Sequence, residues 1–163
     1  PDRDSGEGAG AASPAAGRRT AEQSLGRARD RIRAGQPREA IQLLMDAASR
    51  EDSARERFLR RSEAASIMVR EGMEGVALPL LEEMLEQVER HALEDWEAGE
   101  TVAGPLSLLY HCLERSGADP SRQEQLYLRI CRLDPMEGMR LKSGGDESGT
   151  APESEPDAAG DES

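Results

Sequence analysis

Ala34-Gly35-Gln36-Pro37-Arg38-Glu39-Ala40-Ile41-Gln42-Leu43-Leu44 is the stretch on which the reading of the fold turns. A glycine just after a run of helical period is a common left-handed stop, and a proline two residues on suits the first turn of another helix. The arrangement returns at an offset of 37 as Glu71-Gly72-Met73-Glu74-Gly75-Val76-Ala77-Leu78-Pro79-Leu80-Leu81. Each copy ends one helix, turns on Gly and opens the next on small and branched apolar residues. A helix–turn–helix unit at this period resembles the tetratricopeptide repeat. Two imperfect copies predict a stack of helical hairpins rather than a full solenoid.

Outward from this stretch, Gly and Pro divide the chain into segments of helical period. The first is expected from about 20 to 34, with Leu25, Ala28 and Ile32 on one stripe. The second opens at Pro37 and carries Ala40, Ile41, Leu44 and Ala48. The third opens on Ser53-Ala54-Arg55-Glu56, a capping box in which Ser53 and Glu56 satisfy each other's backbone donors, and runs through Phe58, Ala65 and Val69 to Gly72. The fourth carries Ala77, Leu81, Met84 and Val88, flanked by Leu78 and Leu85. Pro79 makes this helix begin late or bend. The fifth, about 100 to 115, carries Val102, Leu106, Leu109 and Leu113 and stops at Gly117. The sixth begins at Asp119-Pro120-Ser121, with a second S-x-x-E box at Ser121 and Glu124, carries Leu126, Ile130 and Leu133 and ends at Asp134-Pro135; residues 136–141 add a short final turn. The expected fold is all-α, with about six helices in stacked antiparallel hairpins of tetratricopeptide-like form.

Composition agrees. Of 163 residues, 36% are hydrophobic and 33% charged, more polar than an average globular chain. The only aromatics are Phe58, Trp96, Tyr110 and Tyr127, too few for an ordinary β-sandwich or barrel. The net charge of -12 disfavours nucleic acid as a partner. The longest apolar run, 76–81, contains Pro79 and is far too short to span a membrane. Charge is also uneven. Residues 143–163 hold seven acids and no base, and neither they nor residues 1–19 contain any Leu, Ile, Val or aromatic. Such stretches cannot bury enough surface to fold, so 1–19 is expected to be a disordered linker, 20–142 a helical oligomerisation domain and 143–163 a disordered acidic tail. A start at Pro1, with no signal-peptide pattern, reads as part of something longer.

Catalytic patterns are missing. His91 and His111 have no second ligand or nucleophile at useful spacing, and Cys112 and Cys131 form no CxxC or CxxH pair. Two reduced thiols in a cytosolic protein is the plain reading. No catalytic residue, metal ligand or cofactor is assigned, and no enzyme activity is expected. Glu82, Glu86 and Glu89 form a carboxylate stripe of the kind that usually faces solvent.

Five segments carry a family resemblance. Ser53-Ala54-Arg55-Glu56-Arg57-Phe58-Leu59 is similar to the S-x-R-E-R-F-L motif in the C-terminal domain of the TssA (ImpA, VasJ) proteins of bacterial type VI secretion. Ala77-Leu78-Pro79-Leu80-Leu81-Glu82-Glu83 resembles that domain's next helix, Leu93-Glu94-Asp95-Trp96-Glu97 its L-E-x-W-E connection, and Leu108-Leu109-Tyr110-His111-Cys112-Leu113 its L-L-Y-x-C-L helix. Leu126-Tyr127-Leu128-Arg129-Ile130-Cys131-Arg132-Leu133-Asp134-Pro135 resembles its closing segment. The match covers about 20–141. It departs at Arg60, where the family often has Trp, and in the acidic tail. The resemblance implies a non-enzymatic, cytoplasmic, bacterial assembly protein. Its homo-oligomeric ring would support assembly of the baseplate and the tail tube and sheath. The alternative is a monomeric tetratricopeptide-like adaptor that binds a partner peptide.

The candidate interface residues are Arg55, Arg57, Phe58, Arg60, Arg61, Glu82, Glu86, Glu89 and Trp96. Each also has a plainer reading. Phe58 fits the core, and Trp96 could plug a hairpin end, although a lone Trp among acids is a credible anchor for a neighbouring subunit. The four arginines are solvated or paired within the helix, as Arg55 with Glu51 at i, i+4; in a ring they could instead meet the Glu82, Glu86 and Glu89 stripe of another subunit. Tyr110 and Tyr127 read as core rings with hydroxyls at the rim.

Overall fold

The computed structural model describes residues 14–146; of the linker expected at 1–19 and the tail expected at 143–163, residues 1–13 and 147–163 lie outside the described residues. Seven α-helices follow one another: α1 (Pro14–Arg33), α2 (Pro37–Arg50), α3 (Ala54–Arg70), α4 (Glu74–Arg90), α5 (Gly99–Ser116), α6 (Pro120–Leu133) and α7 (Pro135–Asp146). A 3-10 turn, Leu93–Asp95, lies between α4 and α5. No strand occurs among the described residues, so the all-α reading holds, with one helix more than expected. The helical region extends past the expected bounds, to Pro14 and to Asp146, and the short turn expected at 136–141 is the body of α7.

The two copies of the repeat have the same local chemistry. Gly35 and Gly72 both sit at φ 73°, in the left-handed region that favours glycine. Gln36 N–H donates to the Arg31 carbonyl and Gly35 N–H to that of Ile32; one offset later, Met73 N–H donates to Met68 and Gly72 N–H to Val69. Each is a Schellman stop, whose paired bonds satisfy carbonyls left over at the helix end.

Two helix starts depart from expectation in their capping, and a third settles an alternative. Ser53 caps α3 by accepting from Glu56 N–H at 3.4 Å, but the Glu56 carboxylate turns toward Arg55 and Arg60 instead of completing the box. At α6 the cap is Asp119, whose Oδ1 accepts from Ser121 N–H at 3.1 Å, and Pro120 takes the first helical position. A proline there lacks only a donor that would go unused, so the Asp119-Pro120 pair sets the start ahead of Ser121. Finally, α4 opens at Glu74, with Pro79 inside it and exposed to solvent.

The expected stripes form the core. Ala77, Leu81, Met84 and Val88 of α4 and Val102, Leu106, Leu109 and Leu113 of α5 are all buried, joined by Ala40 and Leu44 of α2, Phe58 of α3 and Ile130 of α6. Each helix packs on the next, and α5 also touches α3 and α7. Across the other side of the stack α4 and α6 are linked by ion pairs, Glu82 with Arg122 and Glu89 with Arg129. Gly99, at the head of α5, abuts the end of α6 so closely that a Cβ there would lie 2.1 Å from the Leu133 carbonyl oxygen. One end of the stack thus gathers the α3 start, the α4 end, the 3-10 turn and the α5 start.

Candidate functional site

At that end lies a cleft of about 340 Å³, lined by the start of α3 (Ala54, Arg55, Arg57, Phe58), the end of α4 (Gln87, Arg90, His91) and the following connection (Leu93, Trp96, Glu97). Two segments singled out from the sequence meet here. Arg55, on the first turn of α3, grips Glu97 with two bonds, Nε to Oε2 at 2.7 Å and Nη2 to Oε1 at 3.0 Å. Glu97 also accepts from Ala98 N–H at 3.2 Å. The bond from Arg55, aided by that from Ala98, holds the Glu97 carboxyl below the usual carboxylate range, although burial opposes this. The same bond raises the Arg55 guanidinium above its ordinary value. Two-pronged arginine–carboxylate pairs fix orientation as well as contributing energy. The expected Glu51–Arg55 pair is replaced by this longer-range one, and Arg57 takes the Glu51 backbone carbonyl instead, at 2.9 Å.

Phe58 is buried, as the plainer reading had it. Trp96 is not a plug: 60% of it is exposed. Its indole Nε1 donates to the His91 carbonyl at 3.1 Å, so the ring is oriented while most of its area stays uncovered. Ala92, between them, adopts a left-handed φ of 47°, a conformation uncommon for a residue with a Cβ. That kink carries the chain from the end of α4 into the 3-10 turn and brings Trp96 back over His91.

The other candidates separate from the cleft. Arg60 is 2% exposed; its Nη2 lies 3.5 Å from Glu56 Oε2, and its Nε has no partner among the described residues. A residue so enclosed cannot meet another subunit. Arg61 engages Glu83 twice, at 2.9 and 2.6 Å, and the bond from Arg61 lowers the Glu83 pKa. The carboxylate stripe is largely committed within the chain: Glu82 to Arg122, Glu89 to Arg129 at 2.9 Å, and Glu86 to Arg90 at 3.6 Å. Arg129 also binds Glu94. Burial works against its charge, yet the bonds to Glu94 and Glu89 raise its pKa overall. Glu82, Glu86, Glu89, Glu94, Arg122 and Arg129 line a charged groove of about 660 Å³ between α4 and α6, with no aromatic ring in its wall.

Elsewhere, Cys112 is buried and Cys131 half-buried, both as free thiols, and burial pushes the Cys112 thiol upward. Tyr110 and Tyr127 are half-buried, with ring centroids 6.3 Å apart. Among the described residues no group of three or more His, Cys, Asp and Glu is placed to hold a metal ion, and no helix is long and apolar enough to cross a membrane. Arg90, His91 and Leu93 are cleft residues that sequence reasoning missed. Arg90 and His91 end α4, and the packing of α4 on α3 brings them beside Arg57, whereas the turn at Ala92 brings Leu93 and Trp96 to the same cleft.

Comparison with known proteins adds one finding. A family model described as "Type VI secretion, EvfE, EvfF, ImpA, BimE, VC_A0119, VasJ" matches residues 6–103. The matched span includes every residue of the Trp96 cleft and stops within α5. No curated protein and no solved structure matches significantly.

Proposed function

The chain belongs to this ImpA/VasJ family of type VI secretion proteins, and on that premise we propose that its helical stack is a self-associating scaffold module of the secretion machine. Copies join into a closed ring in the bacterial cytoplasm, and the ring supports assembly of the baseplate and of the tail tube and sheath. The observation that carries this reading is Trp96, an oriented indole left 60% exposed on a cleft that two family motifs build together. An aromatic already held in place loses little freedom when a partner covers it. A closed homo-oligomer needs one set of complementary patches repeated at every contact.

Light scattering on the eluting protein at tens of micromolar tests this. A multiple of the chain mass is expected. Trp96→Ala is expected to shift the population toward smaller species, and Arg57→Ala to shift it less, because rim charges steer association more than they hold it. A wild-type monomer would remove the ring and favour the adaptor, in which the same cleft accepts a peptide of another protein.

A further inference from the structure

The lining of the Trp96 cleft defines the chemistry of its complement. Three arginines face one carboxylate there, since the neighbouring Asp95 and Glu94 do not line it. Glu97 is already matched by Arg55. Among the described residues Arg57 has only a backbone carbonyl as its partner, and Arg90 meets Glu86 through a 3.6 Å contact between two exposed side chains. Beside these two cations stands the exposed face of Trp96. The complement is therefore an acidic segment with flat, stiff apolar groups that can lie on an indole. Prolines interleaved with carboxylates meet that description, because a proline-rich segment is pre-ordered and stacks on aromatic rings.

This chain contains such a segment: Ala151-Pro152-Glu153-Ser154-Glu155-Pro156-Asp157. Residues 147–163 carry six carboxylates and no base. Pro156 lies ten positions beyond Asp146, where α7 ends; ten residues reach up to about 33 Å. The longest helix of the stack, α1 with 20 residues, is about 30 Å long. The reach of the segment is therefore about the length of the longest helix. Tethering raises its local concentration to roughly the millimolar range, which makes even a weak, charge-driven contact effective.

We propose that residues 152–157 dock in the Trp96 cleft of their own chain, with prolines on the indole and carboxylates on Arg57 and Arg90. Resting on the reading of Trp96 as the subunit anchor, docking also makes the acidic tail a competitor of the neighbouring subunit. Assembly is then opposed in the free chain and favoured wherever the tail is drawn away.

Trp96 is the only tryptophan, so its fluorescence reports on the cleft directly. The full chain is compared at low salt and sub-micromolar concentration with the full-length variant Glu153→Gln, Glu155→Gln, Asp157→Asn, and with Pro152→Ala, Pro156→Ala. The wild type is expected to emit at shorter wavelength and to be quenched about twofold less efficiently by acrylamide than either variant. Half-molar sodium chloride is expected to abolish its difference from the charge variant. Identical emission and quenching in all three chains would overturn the proposal. Protection that arises only as concentration rises would also overturn it, and would assign the cleft to a second copy. Light scattering on the same proteins separates the two readings. Assembly of the charge variant at lower concentration than the wild type supports competition. A fluorescence difference between chains that all remain monomeric upholds docking and removes the ring.

Discussion

At Arg60 a charge that water would solvate lies between helices, with one 3.5 Å carboxylate contact and an Nε that has no partner among the described residues. A buried charge with incomplete hydrogen bonding is often no better for stability than an apolar side chain of similar volume. Arg60→Met is therefore expected to leave the thermal midpoint unchanged or to raise it, by up to about 1–2 kcal/mol of stability. Chemical denaturation of both chains checks this; a clear loss would show that Glu56 compensates for the burial fully. The position shows where sequence reading stops. Arg60 stands one residue before Arg61 in a run of cations, and nothing local says that one guanidinium turns inward while the next reaches Glu83. Phe58 was legible because a lone aromatic on an apolar stripe has few other places to go. Gly99 was not, since its need for a bare Cα comes from the Leu133 carbonyl of another helix.

Helix ends were legible where one residue type dominates and ambiguous where two signals overlap. Gly35 and Gly72 mark their stops because the left-handed position excludes most alternatives. At the start of α6, Asp119-Pro120-Ser121 offers two caps, and S-x-x-E spacing pointed to the wrong one. With Asp119 as the cap, Asp119→Ala is expected to cost about 1 kcal/mol and Ser121→Ala only a few tenths. Thermal unfolding of the two variants distinguishes them, and the reverse order would restore Ser121. Likewise α7 looked like a single turn because residues 136–141 offer little apolar period. Its packing on α5 and α6, with Leu141 buried and Gly138 pressed close to Cys131, supplies what the sequence pattern lacks.

Across the whole molecule, the architecture followed from periodicity, whereas the cleft depends on a bond between residues 55 and 97 that no local spacing reveals. That bond also makes stability depend on pH. The folded Glu97 pKa lies below its ordinary value because Arg55 donates to the carboxylate. The unfolded chain therefore binds the proton first as acid is added. The contribution of Glu97 is full above the unfolded carboxylate value, roughly pH 4.3, and is lost as pH falls through the lower folded value. Glu83, held down by Arg61, acts in the same direction. Wild type and Glu97→Gln are expected to differ in midpoint near neutral pH and to converge as pH falls below about 4. A difference that stays constant across the range would assign the effect of the substitution to packing.

The seriate packing of the helices has a last consequence, for how the molecule opens. Helix α1 rests chiefly on α2, while α5 is clasped by α3, α4, α6 and α7. Neighbour-on-neighbour structures open in increments rather than all at once. Amide deuteration should accordingly run as a gradient, early in α1 and last in α5, with α4 close behind. Were α1 and α5 to exchange together, the stack would behave as one cooperative block. On the graded view, the first hairpin can peel away and reseal while the floor beneath Trp96 stays closed.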